Sequence, residues 1–310
     1  MVSRLKKKRG GALAARCFED KVYDAVIFWV LSLLLVSVAY PLYYVLISSI
    51  SDPVRVNDGD VLFYPLGVTL DGYLKVLENG NIVRGFFNSV YYSVLAVVLT
   101  LAFTLPLGYA LSRNDFVGRK PISIFYVITM FVGGGMIPTY LVVRATGLLN
   151  TGWALTLPGA VGVWGIMVCR TFFKTNIPGE LLDAAKIDGC SNTVFFFRCV
   201  LPLSSAIIAL QVLWTGVGQW NSYFSALLYL SDREKMPLQM ELRQILVLNS
   251  NPQAAAAMTE EAIKEKERLE ALKQLMKYSL IVLSNIPVII IYPFIQKHFV
   301  KGVVVGSLKG

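Results

Sequence analysis

Few residues in this chain are of a type and spacing that could carry out covalent or proton-transfer chemistry. There is one histidine, His298, beside Lys297, so neither a Ser-His-Asp or Cys-His nucleophile nor an HExxH zinc motif can be assembled. His298 reads as an interfacial side chain where the last apolar run ends. Cys17, Cys169, Cys190 and Cys199 lack the close pairing and histidine partners of a zinc site, so no metal or other cofactor is expected. A phosphate-binding loop requires G-x-x-x-x-G-K-[ST], in which backbone amides cradle the phosphates and the lysine reaches them. The nearest approach, Gly80-Asn81-Ile82-Val83-Arg84-Gly85, is followed by Phe86. The expectation is a protein that is not an enzyme and has no ATPase site of its own.

What does have pattern is a polar stretch from Glu180 to Pro202, lying between two long uncharged apolar runs. It carries Asp183-Ala184-Ala185, then Asp188-Gly189, with Gly189 six positions after Asp183, and then Leu201-Pro202. The chemistry suggested is mechanical contact. Pro178 suits a helix start, and Gly189 can adopt the left-handed conformation that ends one. The result is a helix of about two turns from Pro178 to Gly189, of a size to lie in a groove on a partner. Ala184 and Ala185 allow close approach, Phe195-Phe196-Phe197 can anchor the loop, and Leu201-Pro202 marks re-entry into the next apolar run.

The elements that must position this stretch follow from hydropathy. The chain has 310 residues, is 55% hydrophobic and has a mean hydropathy of +0.59, too apolar for an ordinary soluble domain. A membrane-spanning helix needs about 20 apolar residues, and a charge at mid-bilayer costs several kcal/mol. Six runs without Asp, Glu, Lys or Arg meet that length. The expected fold class is therefore an all-α membrane protein with six transmembrane helices, over about residues 25–50, 86–112, 121–143, 152–172, 204–230 and 278–297. A basic cytoplasmic tail, 1–21, precedes a transmembrane domain, 22–310. With the N-terminus inside, the inner segments hold 17 of the 29 Lys and Arg residues. This asymmetry places both termini and the loop 174–203 in the cytoplasm, and 232–277 outside. The tail MVSRLKKKRG reads as a topology signal that touches anionic lipid. No nucleic-acid-binding module follows it, and the apolar run behind it is too long for a cleavable signal core.

Two span features could line a path. Gly133-Gly134-Gly135 interrupts the third run, and irregular backbone at depth is tolerated where it lines a cavity or is buried in protein. Trp220, Asn221 and Tyr223, with Trp214 and Gln219 nearby, mix aromatic and amide groups of the kind that stack on and hydrogen-bond to sugars. For the glycines the alternative is close helix packing by small residues, and for the fifth run it is core packing with interfacial aromatics. In the outer segment, TEEAIKEKERLEALKQLMKY has helical charge pairs and a loose apolar stripe at Ala262, Leu269, Leu272, Leu275 and Met276. It reads as a solvated helix packed on its own protein, or as a contact surface for an extracytoplasmic partner. The spans hold no internal charged residue, so coupling to protons or sodium has no obvious groups, and uphill transport would need energy from elsewhere.

Read as E-A-A-x-x-x-G-x9-I-x-L-P, the stretch resembles the coupling loop of ABC importer permeases. Asp183 stands for Glu and Cys199 for Ile, while Ala184, Ala185, Gly189, Leu201 and Pro202 match. Asp188 before Gly189 is similar to the carbohydrate-type branch. FVGGGMIPTYLVVRATGLLNT, GQWNSYFSALLYL and QKHFVKGVVVGSLKG extend the resemblance to MalG-like permeases of oligosaccharide importers that work with lipoprotein receptors. The resemblance implies the type I importer permease fold in a bacterial inner or plasma membrane. It implies a second homologous permease, two cytoplasmic ATPase subunits docked on the loops, and an extracytoplasmic solute-binding protein as partners. Asp183, Ala184, Ala185, Asp188, Gly189, Leu201 and Pro202 become the expected ATPase-coupling residues. The function implied is the permease of an ATP-driven oligosaccharide importer. A permease for another solute, or a membrane scaffold without transport, are the alternatives.

Overall fold

The computed structural model describes residues 18–247 and 260–307, and the side chains of most of them. The basic tail up to residue 17 lies outside the described residues, as does the side chain of His298. The helices in chain order are α1 (Phe18–Ser49), α2 (Pro53–Asp58), α3 (Asp71–Glu78), α4 (Gly80–Ser112), α5 (Arg119–Phe131), α6 (Met136–Ala145), α7 (Gly152–Thr156), α8 (Val163–Asn176) and α9 (Gly179–Ile187). After these come α10 (Asn192–Phe195), a π-helical turn (Phe196–Val200), α11 (Leu201–Leu203), α12 (Ser205–Trp220), α13 (Phe224–Tyr229), a 3-10 turn (Arg233–Lys235), α14 (Leu238–Val247) and α15 (Glu260–Ser307). No strand occurs among the described residues.

Three of these helices are long and apolar enough to cross a membrane: Val22–Ser49, Gly80–Ser112 and Glu270–Phe294. Two bent pairs would raise the number to five if each is one span. They are α5 with α6, at 115°, and Asn192–Leu203 with α12, at 79°. The first bend has a local cause. Gly135 has φ +84°, a conformation that favours glycine, and the triple glycine leaves nothing to hold the two helices in line. Pro138 sits in the first turn of α6, where its missing N–H costs no helical bond. The fourth apolar run is likewise divided, into the short α7 and the 14-residue α8.

α4 is the organising element, flanked by α8, α12 and α14. It meets α8 at Gly108, where an added Cβ would come within 2.6 Å of the Cys169 Cβ and 3.2 Å of the Arg170 backbone nitrogen. This is the small-residue contact by which membrane helices approach closely without a hydrophobic driving force. Trp220 closes the other side. Its ring packs edge-on against Phe86, and its Nε1–H donates to the Ser284 carbonyl at 2.8 Å, tying α12 to α15.

The helix ends near the start of α4 are closed by the connecting segments. Asn88 donates to the Glu234 and Met236 carbonyls, Tyr92 donates to that of Lys235, and Arg84 pairs with Glu234 at 3.0 Å. Asn150, at φ +58°, accepts from the Ser231 and Asp232 amides. α15 runs without a break from its charged first part into its apolar part. There Leu275 is buried, and it packs so closely that a Cβ at Gly72 of α3 would meet its Cγ at 2.7 Å. Leu275 and Met276 of the stripe thus face the protein itself, while Leu272 is half-buried; the side chains of Ala262 and Leu269 lie outside the described residues. α1 stands apart, with none of its apolar window buried, and is held at its C-terminal end by a Tyr44–Tyr278 ring contact and by Ser279 donating to the Ser49 carbonyl.

The Gly108 contact gives the first prediction. Gly108→Val should separate α4 from α8 and lower the thermal midpoint of the purified protein by several degrees, roughly the 1–3 kcal/mol of overpacking. Gly218→Val, where an added Cβ meets nothing within 4 Å, should leave it within about a degree. Equal shifts in a thermal-unfolding assay would contradict this packing.

Candidate functional site

The stretch that the sequence singles out forms a short helix with defined ends. α9 begins after Pro178, with Glu180 in its first turn and Lys186 in its last, each charge favourable to the helix dipole. At the far end Gly189 has φ +70°. The Gly189 amide donates to the Lys186 carbonyl, and the Cys190 amide donates to that of Ala185. These two bonds around a left-handed glycine make the Schellman motif, which satisfies carbonyls that would otherwise be orphaned.

The two faces of α9 differ. Leu182 and Ala185 turn inward onto a core of Tyr109, Phe173, Phe195, Phe196 and Val200. Glu180, Asp183, Ala184 and Ile187 turn outward, at helical spacing, and Ile187 is 88% exposed. Ala184 and Ala185, adjacent in sequence, therefore have different jobs: Ala185 seats the helix on its own protein and Ala184 belongs to the free face. Asp188 and Gly189 are exposed beside that face. Ile187 is missed by a reading based on acid, alanine and glycine, although its position one turn past Ala184 could have flagged it.

Beyond α9 the chain does not enter α12 directly at Pro202. It stays helical to Leu203 and bends at Ser204, where the Ser204 hydroxyl donates to the Val200 carbonyl at 2.6 Å. Pro202 has no N–H and would press on the carbonyl four residues back. The π-helical turn just before it, closed by the Leu201 amide donating to the Phe196 carbonyl, widens the helix where that strain would fall. Of the three phenylalanines, Phe195 and Phe196 are buried and Phe197 is 61% exposed.

A charged network pins α9 to the end of α4. Arg113, just past α4, binds Asp115 through two parallel N–H···O contacts, donates from Nη1 to the Asn192 side chain at 2.8 Å, and lies 5.8 Å from the centre of the Tyr109 ring. Asp115 in turn receives Lys186 of α9 at 3.4 Å. Arg113, Asp115, Lys186 and Asn192 were not legible as a group, because 79 residues separate the first from the last. The hydrogen bonds from Arg113 hold the Asp115 carboxyl well below the usual carboxylate range. A depressed folded-state pKa stabilises only above the unfolded value, so this contribution is complete above about pH 5 and is lost as pH falls toward the folded value. The clamp is charged across the physiological range.

The other residues read as path candidates are placed as follows. Gly133, Gly134 and Gly135 are exposed at the corner between α5 and α6. Asn221 and Tyr223 are exposed at the end of α12, with Asn221 Nδ2 donating to the Val217 carbonyl. Trp220 is buried and its indole N–H is already used. Among the described residues no cluster of His, Cys, Asp or Glu could hold a metal ion.

The chain is similar over nearly its whole length to a permease of known assignment. It is 36% identical over 292 residues to the polygalacturonan/rhamnogalacturonan transport system permease protein YtcP of Bacillus subtilis, covering 94% of this chain and all of that one. The chain belongs to the sugar ABC importer permeases. A further relative is the maltodextrin transport system permease protein MdxG of the same organism, 27% identical over 90% of this chain and 94% of that protein. A chain of a bacterial ABC transporter involved in the import of the acidic polysaccharide alginate superposes with a TM-score of 0.82 at 29% identity, over 91% of this chain and 98% of that one. No protein-family model matches the chain. As a sugar ABC importer permease it is a multi-pass protein of the bacterial cell membrane.

The Arg113 network ranks two substitutions. Arg113→Ala removes contacts to Asp115, Asn192 and Tyr109 at once and should cost about 2 kcal/mol or more. Lys186→Ala loses one half-exposed contact, worth less than about 1 kcal/mol. Thermal unfolding of the two purified variants checks this order, and the reverse order would contradict it.

Proposed function

We propose that the chain is the membrane-spanning subunit of an ATP-driven, solute-binding-protein-dependent importer of an oligosaccharide. It forms the translocation path with a second homologous permease and receives force from two cytoplasmic ATPase subunits through the 180–202 segment. One observation carries this reading. α9 is anchored on one face and bare on the other, with Ile187 at 88% exposure beside Asp183 and Ala184. An exposed isoleucine on a nine-residue helix that is otherwise well capped is a surface awaiting a groove. The membrane relatives supply the class of engine that such a helix would meet.

The proposed topology has six spans with both termini inside. α1, α4 and the apolar half of α15 supply three, the bent pairs two more, and α8 with the residues before it the sixth. The excess of Lys and Arg on one side supports this orientation. ATPase closure would push α9, the Arg113 clamp would carry the push to α4, and the spans would rock as bodies between outward and inward access. Gly133, Gly134, Gly135, Asn221 and Tyr223 stand as path residues in this arrangement, with Trp220 packed behind them. The sugar names carried by its relatives favour an oligosaccharide over other solutes, and selectivity is shared with the solute-binding protein. The protein hydrolyses no ATP itself.

Gly189→Asp, or deletion of residues 183–189, should abolish uptake while the protein still inserts in the membrane. Ile187→Asp should weaken capture of the ATPase at least about tenfold, because an unpaired carboxylate would be buried in the groove. Both are read by uptake and by ATPase pull-down from solubilised membranes. Normal ATPase capture by these variants would overturn the coupling role of α9.

A further inference from the structure

Trp164, second residue of α8, and Trp214, in the middle of α12, lean on one another with ring centres 4.3 Å apart and planes at 34°. Packing of this kind usually lies inside a protein, yet these indoles are 43% and 59% exposed. Among the described residues neither indole N–H has a hydrogen-bond partner, whereas that of Trp220 does. Both rings lie well inside the expected spans 204–230 and 152–172. At 1.5 Å per residue, Trp214 is about 15 Å from residue 204 and Trp164 about 12 Å from residue 172, well within roughly 30 Å of hydrocarbon.

Lipid is a poor occupant for such a surface. Tryptophan facing lipid collects at the two interfaces, where its N–H can reach water or headgroups. At mid-depth an unpaired N–H is costly, and a chain of methylenes offers it no acceptor. The faces that flank the pair are not lipid-like either. On α12, Trp214, Gly218 and Asn221 follow one another at i, i+4 and i+7, and all are exposed. Gly218 has open space above it, and Asn221 presents an amide.

The platform is also held rigidly from behind. Gln211, buried and one turn before Trp214, donates from Nε2 to the Gly165 carbonyl at 3.1 Å and toward the Cys169 sulfur at 3.3 Å. Gly165, next to Trp164, brings the helices so near that a Cβ there would lie 3.2 Å from the Gln211 amide. The helices that carry the indoles are thus held together before any ligand arrives, which reduces the entropy lost on binding.

We propose that Trp164 and Trp214 form an oligosaccharide-stacking subsite on the path face of this permease. Sugar C–H faces pack on the indoles, and sugar oxygens accept from the two free N–H groups. This rests on the importer reading above and adds to it a contact between this subunit and the sugar.

The test uses the native host strain, with the chromosomal copy deleted or replaced by variants. Import of oligogalacturonates, malto-oligosaccharides and alginate oligosaccharides is first compared between the wild-type and deletion strains. A sugar whose uptake needs this chain becomes the probe. If uptake of none of them needs it, the oligosaccharide reading falls and the subsite falls with it. With the probe in hand, Trp164→Ala and Trp214→Ala should each lower uptake efficiency about tenfold or more at normal membrane levels, with ATPase capture unchanged. Trp164→Phe and Trp214→Phe keep a ring but lose the N–H and should fall in between. Uptake within twofold of wild type in both alanine variants would overturn the subsite and leave the importer reading standing. If the alanine variants fail to accumulate, wild-type uptake in both phenylalanine variants would overturn it instead.

Discussion

The structure depends on how the C-terminal ends of α4 and α8 are joined to the segment between α8 and α12. Tyr109 of α4 meets Phe173 of α8 at 5.7 Å and Phe196 of the π-helical turn at 5.2 Å, and Arg113 lies over its other side. Membrane helices gain little from hydrophobic burial against one another, because lipid is as apolar as their side chains. At the ends of the helices, where they leave the apolar layer, that argument changes. Phe173 and Phe195 are almost wholly buried there, each gaining about 1.5–3 kcal/mol relative to exposure to water. Apolar burial thus stabilises the seat of α9, where the proposed input would be applied.

The consequence is a packed seat under an exposed surface. Leu182 and Ala185 sit in the aromatic core, Lys186 reaches Asp115, and Asn192 receives Arg113. A force on the free face of α9 therefore has two routes to α4, one through packing and one through charge. Gly108 then passes any tilt of α4 to α8 with no intervening side chain. The opposite ends are fastened separately, by Arg84, Asn88 and Tyr92 to the Glu234–Met236 turn. Fastening at both ends, with bent pairs α5–α6 and α11–α12 between, suits bodies that rock more than it suits helices that slide.

Legibility from sequence varied with how local the cause was. The length and hydropathy of α1, α4 and the end of α15 needed only composition, and α9 needed only a proline, a glycine and the residues between. The left-handed Gly189 follows from the same local rule. Where two distant segments decide, the sequence was silent. The bend at Ser204, two residues past Pro202, depends on a π-helical turn that no periodicity announces. The Arg113–Asp115–Lys186–Asn192 clamp joins two separate connections, and Trp164 gains its meaning only when α12 brings Trp214 beside it. Trp220 shows the reverse case. Its neighbours Asn221 and Tyr223 suggested a path, but a tryptophan whose N–H is satisfied by Ser284 and whose ring lies on Phe86 serves packing first.

The central claim is that the outward face of α9 touches an ATPase subunit. Its most direct test is site-specific photocrosslinking in native membranes, with p-benzoylphenylalanine placed in turn at Ile187, at the inward Leu182, and at the exposed Val68, which the proposed topology puts on the other side of the membrane. The account predicts an ATPase adduct from position 187, weakened or shifted when nucleotide is added, and none from 182 or 68. No ATPase adduct from 187, or an equal one from 68, would contradict it.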